Sequence, residues 1–170
     1  MNSAIALFPA IAIVAACSQP DQPEPPEGSH AEVNWEGPWS VSQGNYDGSP
    51  LFVRIHHGVA PLVGDPRYSQ QVGIAVPLLN PDADGLPTHE EGAQIFEIED
   101  AISAALEPNH TSVLVLSITT KGMREFVLYT TDADAVRAAF GALQSSFPGH
   151  ELQLMIQPDP EWSVYLQFAQ

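Results

Sequence analysis

Two stretches of this chain place acids and imidazoles close enough together to suggest chemistry. His89, Glu90 and Glu91 are consecutive, and Asp159 and Glu161 stand two residues apart. A metal site on a helix wants its ligands on one face, typically at i, i+4 spacing. Three consecutive residues fan around the axis instead. Thr88 and Glu91 have the spacing of a capping box, with Thr88 accepting from the N3 amide and Glu91 reaching back, and acids in a first turn suit the helix dipole. His56 and His57 point to opposite faces of an extended segment, so they do not share an ion. Asp159 and Glu161 have the residue types of an acid/base pair. With Pro160 between them they equally make an N-cap, an N1 proline and a first-turn acid. The chain has no Gly-x-Ser-x-Gly elbow and no phosphate loop. The reading is therefore no metal, no cofactor and no catalytic residue. The alternative is an acid/base hydrolase using carboxylates near Asp159 and Glu161, or Glu90.

Positive charge is scarce, which makes its placement informative. The 170 residues carry 21 acids against 5 basic residues, a formal net charge of −16. So few cations exclude a phosphate-backbone footprint, and with it a nucleic-acid partner. Arg54 and His56 share one face of an alternating segment, expected to be the sheet face away from the helices. Lys121 and Arg124 flank a turn. These four and Trp162 are the candidate contacts for a ligand or protein partner.

Cys17 is the only cysteine, so no disulfide can form within the chain. It closes an apolar run from Ala4 to Ala16 that is too short to span a bilayer and contains Pro9. Val14-Ala15-Ala16-Cys17 resembles a bacterial lipobox, although no Lys or Arg precedes the run. Residues 1–17 thus read as a lipoprotein-type signal peptide, with Cys17 as the acylated residue and the membrane as a partner through that anchor. Residues 18–37 are rich in Pro and Glu and read as a disordered tether. Residues 38–170 are long enough for one domain with a single core.

The positions just discussed need elements to hold them. Leu51, Val53 and Ile55 alternate with Phe52, Arg54 and His56, and Val72, Ile74 and Val76 repeat the pattern; both stretches predict strands. Ile95, Ile98, Ile102 and Leu106 form a helical stripe that Thr88 caps and Pro108 stops. Ser112–Thr119 is apolar on both faces, as a central strand would be. Lys121-Gly122 turns it into a partner strand ending near Tyr129. A second helix follows a cap at Thr131 or Asp132, with Val136, Ala139, Phe140 and Leu143 inward. Leu152, Leu154 and Ile156 form a last strand, and a short helix from Asp159 carries Trp162, Tyr165 and Leu166 to the core. The order β-β-α-β-β-α-β-α predicts an α+β two-layer sandwich. Its mainly antiparallel sheet carries two helices on one face, ferredoxin-like in outline, plus a short C-terminal helix. Val113 and Val115 then need cover on the far face. The segment Val33–Val41 with Trp35 and Trp39 would supply it, or a second subunit would, making a homodimer through the open sheet face.

These residues also resemble a family. Trp39, Gly48-Ser-Pro-Leu-Phe-Val-Arg54, Asp84-Gly-Leu-Pro-Thr-His-Glu-Glu91, Ile98-Glu-Asp100, Thr119-Thr-Lys-Gly-Met-Arg-Glu125, Tyr129 and Asp159-Pro-Glu-Trp162 with Tyr165 are similar to the bacterial domain-of-unknown-function family DUF 695. The likeness covers nearly all of residues 35–170. It implies a fold and a recurrent surface but no activity.

The combined expectation is an uncharacterised envelope lipoprotein on the periplasmic side, a non-catalytic binding or interaction module with a protein partner in the cell envelope. Ser18 after the cysteine favours the outer membrane where one exists. Metabolic labelling with an alkyne fatty acid should mark the wild type and leave Cys17→Ala blank; equal labelling of both would remove the anchor.

Overall fold

The computed structural model describes residues 32–169, so Cys17, the rest of the expected signal peptide and most of the expected tether lie outside the described residues. Six strands make one sheet: β1 (Trp39–Tyr46), β2 (Ser49–His56), β3 (Gln70–Pro77), β4 (Ser112–Thr120), β5 (Met123–Thr130) and β6 (Gln153–Pro158). Helix α1 (His89–Leu106) joins β3 to β4, α2 (Ala133–Ser146) joins β5 to β6, and α3 (Ser163–Leu166) ends the domain. The sheet order is β1-β2-β4-β5-β3-β6, and every neighbouring pair is antiparallel. The run β3-α1-β4-β5-α2-β6, with its strands side by side as β4-β5-β3-β6, is the ferredoxin-like split βαβ arrangement. The β1–β2 hairpin lengthens this sheet at the β4 edge. The molecule is an α+β sandwich, as the element pattern predicts.

The sequence pattern does not reveal β1. Its middle holds only Val41 as a sizeable apolar side chain, and Val41 is 63% exposed. The turn that follows was the available signal. Asp47 and Gly48 both have positive φ, 49° and 83°, and join β1 to β2 through a two-residue Asp-Gly connection.

Helices α1 and α2 cover one face. Ile95, Ile98, Ile102 and Leu106 pack with Val136 and Leu143 onto Val72, Ile74, Val76, Phe126 and Leu128. Thr88 caps α1 as expected, accepting from the Glu91 amide at 3.3 Å. Glu91 does not close a capping box. Its carboxylate accepts from the Leu79 and Asn80 amides, so it pins the loop leaving β3 to the start of α1. Asp132 caps α2 through the Asp134 and Ala135 amides.

The other face is covered by the chain itself. Val113 and Val115 are buried with Val59, Leu62 and Tyr68 from the β2–β3 connection and with Trp162 and Tyr165 from the C-terminus. The N-terminal segment divides between the layers: Trp35 packs on this second core, whereas Trp39 packs on the helical one. Residues 33–37 therefore belong to the folded unit, upstream of the boundary expected at residue 38. Gly37 and Gly58 make this docking sterically feasible, since a Cβ on Gly58 would lie 2.1 Å from the Asn34 carbonyl oxygen and 2.8 Å from the Gly37 Cα. The Asn34 amide donates to the Gly58 carbonyl, and the Trp35 ring stacks on His110 at 3.7 Å.

The C-terminal clasp differs from the expected helix start. Asp159 to Trp162 is a turn closed by the Trp162 amide on the Asp159 carbonyl, and Trp162 sits at φ 56°, so α3 begins only at Ser163. Trp162 and Tyr165 dock, but Leu166 stays 42% exposed. Trp162 stacks parallel on Tyr129 at 4.0 Å, meets Tyr165 edge-on, and donates from its ring nitrogen to the Tyr68 carbonyl at 2.9 Å. Deleting so enclosed an indole leaves a cavity and an unpaired carbonyl. Trp162→Ala should cost about 3–5 kcal/mol, read as a large shift of the denaturant midpoint. A near-neutral midpoint would show that the clasp is dispensable.

A two-arginine cleft as the candidate functional site

The site begins with an irregularity in β4. Leu114 pairs with Leu128 and Leu116 with Val127, so Val115 is an extra, bulged residue. The bulge resets the alternation. Val115, Leu116 and Ile118 all turn to the second core, while Ser117 and Thr119 turn to the helical face. There Ser117 lies beside Arg54 of β2, and Thr119 lies between Phe52 of β2 and Arg124 of β5. These side chains, with Val41 of β1 and Leu86-Pro87 of the loop before α1, line a cleft of about 320 Å³. The loop is held against the β4–β5 turn by Gly122 N–H donating to the Gly85 carbonyl at 2.9 Å. Gly85 has φ 77°, and a Cβ there would come within 2.9 Å of the Gly122 nitrogen.

Helix α1 brings Glu99 and Phe96 to the two arginines. Arg54 Nη1 donates to Glu99 Oε1 at 2.6 Å, and Arg124 Nη1 lies 3.8 Å from Glu99 Oε2. Arg124 Nη1 also donates to Ser117 Oγ at 2.9 Å. The Arg54 guanidinium lies 4.9 Å from the Trp39 ring centre, and both guanidiniums lie 5.9 Å from that of Phe96. Arg124 and Glu99 are deeply buried, with side chains 11% and 10% exposed. Burial lowers the Arg124 guanidinium from its ordinary value, and the Glu99 carboxylate opposes that; the group stays charged. Two guanidiniums against one carboxylate leave the cluster one positive charge. Arg124 Nε and Glu99 Oε2 have no hydrogen-bond partner among the described residues. Such a cluster, walled by Val41, Phe52, Leu86 and Pro87, is suited to a carboxylate carried on an apolar body.

The other expected contacts lie elsewhere. Arg54 and His56 do share a face, but it is the helical face and not the one opposite. Both faces of the sheet are covered, so alternation alone could not tell which apolar set of β2 faces the helices. His56 is buried under Trp39 at 4.4 Å, with Nδ1 3.2 Å from the Leu114 carbonyl oxygen. Burial lowers its pKa, favouring the neutral ring. Lys121 pairs with Asp47 at 2.5 Å and lies over Tyr46, outside the cleft. Trp162 is fully enclosed and offers no surface to a ligand. Cys17 lies outside the described residues.

The carboxylates proposed for acid/base work are structural or solvated. Asp159 accepts from Tyr129 Oη at 2.6 Å and from the Ser163 and Val164 amides. Burial alone would raise this carboxyl, but the hydrogen bonds from Tyr129, Ser163 and Val164 outweigh it and hold it below the usual range. Burial first, and then the Asp159 hydrogen bond, push the Tyr129 phenol far up. Glu161 and Glu90 are exposed. Among the described residues, no three His, Cys, Asp or Glu side chains gather in a geometry that could hold a metal ion. A second, wider hollow of about 570 Å³ lies beside Trp35 and His110. Its one cation, Arg67, is bound to Asp65 through two nitrogens.

The DUF695 family, described as a family of unknown function, matches residues 37–169. The chain belongs to this family. No curated protein and no solved structure matches it. The match begins at Gly37, one of the two glycines on which the N-terminal segment docks.

Glu99 is the site residue that sequence reading passed over. The available signal was an acid next to Ile98 on a stripe that is otherwise buried, in need of a cation. Removing it strands a deeply buried guanidinium. Glu99→Ala should cost about 3 kcal/mol, whereas Asp134→Ala, at the exposed pair with Arg137, should leave the thermal midpoint almost unchanged. Equal effects would show that the cluster is solvated.

Proposed function

We propose that this DUF695 protein is a lipid-tethered, non-catalytic binding module of the cell envelope, and that the Arg54–Arg124 cleft is its ligand site. One observation carries the second part: two of the chain's five basic residues meet over a single buried carboxylate in an apolar-walled cleft. The ligand is a small monocarboxylate, or a single carboxylate on a larger molecule, with an apolar body seated against Val41, Phe52 and Leu86. The tether rests on the lipobox resemblance at Cys17 and the Pro/Glu-rich residues after it. Among the described residues no helix is long and apolar enough to cross a membrane. The acid/base alternative has less support, because the Asp159 carboxylate is already committed to Tyr129 and to the start of α3.

Calorimetric titration with linear and phenyl-substituted monocarboxylates of four to ten carbons, run beside the matching amines and alcohols, tests the ligand class. The carboxylates alone should bind, and Arg54→Gln should weaken them at least tenfold. Binding of none of the series, or equal binding of the amines, would overturn the reading.

A further inference from the structure

The cleft opens next to an unpaired sheet edge, and that edge has an uncommon composition. β1 is eight residues long, Trp-Ser-Val-Ser-Gln-Gly-Asn-Tyr, and forms one end of the sheet. Exposed edge strands usually carry charges, proline or a bulge that discourage pairing. β1 has no charged residue and no proline, and its eight pairs with β2 run without a break in register. The opposite edge, β6, is six residues long, ends in Pro158, and is followed by Asp159.

The register shows which main-chain groups face out. Tyr46 and Ser49 flank the two-residue turn, so they form a hydrogen-bonded pair, and bonded pairs recur at every second residue. Ser40, Ser42 and Gly44 therefore bond to β2, while the amides and carbonyls of Val41 and Gln43 point away from the sheet. Among the described residues nothing pairs with them. Val41 belongs to both features. Its backbone forms part of the free edge, and its side chain lines the cleft directly across from Arg54.

We infer that the carboxylate arrives on an extended peptide that adds to the sheet as a seventh strand beside β1. Main-chain hydrogen bonds to Val41 and Gln43 would hold the peptide. Its side chains on the helical face would cover Val41 and bring an acidic group, or a C-terminal carboxylate, to the arginines. Charge favours such a peptide over a second copy of this chain, because two copies of net charge −16 repel each other, whereas a short peptide with a single acid brings only the charge that the cluster's one positive charge can meet. The inference rests on the carboxylate reading of the cleft, but the two fail separately. Small carboxylates test the arginines, whereas the edge is tested through the main chain.

The test is selection of a random octapeptide phage library on the full-length protein, followed by synthesis of the enriched peptides. Enriched sequences should combine β-branched residues with at least one acid. Gln43→Pro removes an outward amide without touching the β1–β2 ladder, and should weaken each peptide at least tenfold while small monocarboxylates bind as before. In the wild type, peptide binding should slow hydrogen exchange at the Val41 and Gln43 amides and leave Ser42 and Gly44 unchanged. This second readout holds even if the proline variant misfolds. No enrichment, or peptides that leave the Val41 and Gln43 amides unprotected, would overturn the inference. So would a concentration-dependent dimer that Gln43→Pro abolishes, because a second copy would then own the edge.

Discussion

The single extra residue in β4 determines much of this structure. β4 is buried along its whole length, so each of its side chains must find a place in one of two apolar layers. In a regular strand the apolar set would alternate between them. The bulge at Val115 lets Val113, Val115, Leu116 and Ile118 all serve the second core. The same shift turns Ser117 and Thr119 toward the helices, where their hydroxyls line a cleft instead of interrupting a hydrophobic layer. A bulge is thus both a packing device and the means by which a polar floor is made in a buried strand.

A sheet covered on both faces needs two sets of covers, and this chain builds them differently. The helical layer comes from two amphipathic helices whose stripes are complete in themselves. The second layer is assembled from pieces far apart in sequence: the β2–β3 connection, the N-terminal segment at Trp35, and the C-terminal turn. None of these pieces has enough apolar surface to be stable alone. They are held by specific polar ties, among them Trp162 to the Tyr68 carbonyl, Tyr165 to the His56 carbonyl, and Asp159 to Tyr129. The lowered Asp159 carboxyl adds stability above the ordinary carboxylate range, and that contribution is lost as pH falls through its folded value.

The charged cluster has a different character. Burying Glu99 and Arg124 costs desolvation that a well-packed apolar pair would avoid. The arrangement nonetheless leaves a guanidinium nitrogen and a carboxylate oxygen without hydrogen bonds. Buried polar groups are normally satisfied, so these two unpaired atoms add to the cost of keeping the cluster.

Much of the fold was legible in the sequence, because amphipathic periodicity is a local property. The stripe from Ile95 to Leu106, the Thr88 and Asp132 caps, the Lys121-Gly122 turn and the doubly apolar β4 each follow from neighbouring residues alone. So do the family motifs and the scarcity of cations. Other features depended on tertiary structure. An alternating strand declares two faces but not which one meets the helices, so the pattern of β2 alone does not place Arg54 and His56 on the helical side. A bulge leaves no mark in an unbroken apolar run, and β1 has almost no apolar signal because its surroundings are solvent. The spacing predicts local caps at Glu91 and Asp159, but Glu91 instead holds the Leu79 and Asn80 amides, and Asp159 holds Tyr129 as well as the start of α3, partners that only the folded chain brings near. The cleft is the clearest case: Arg54, Glu99 and Arg124 come from three separate elements, and only the β4 register and the docking of α1 bring them within reach of one another.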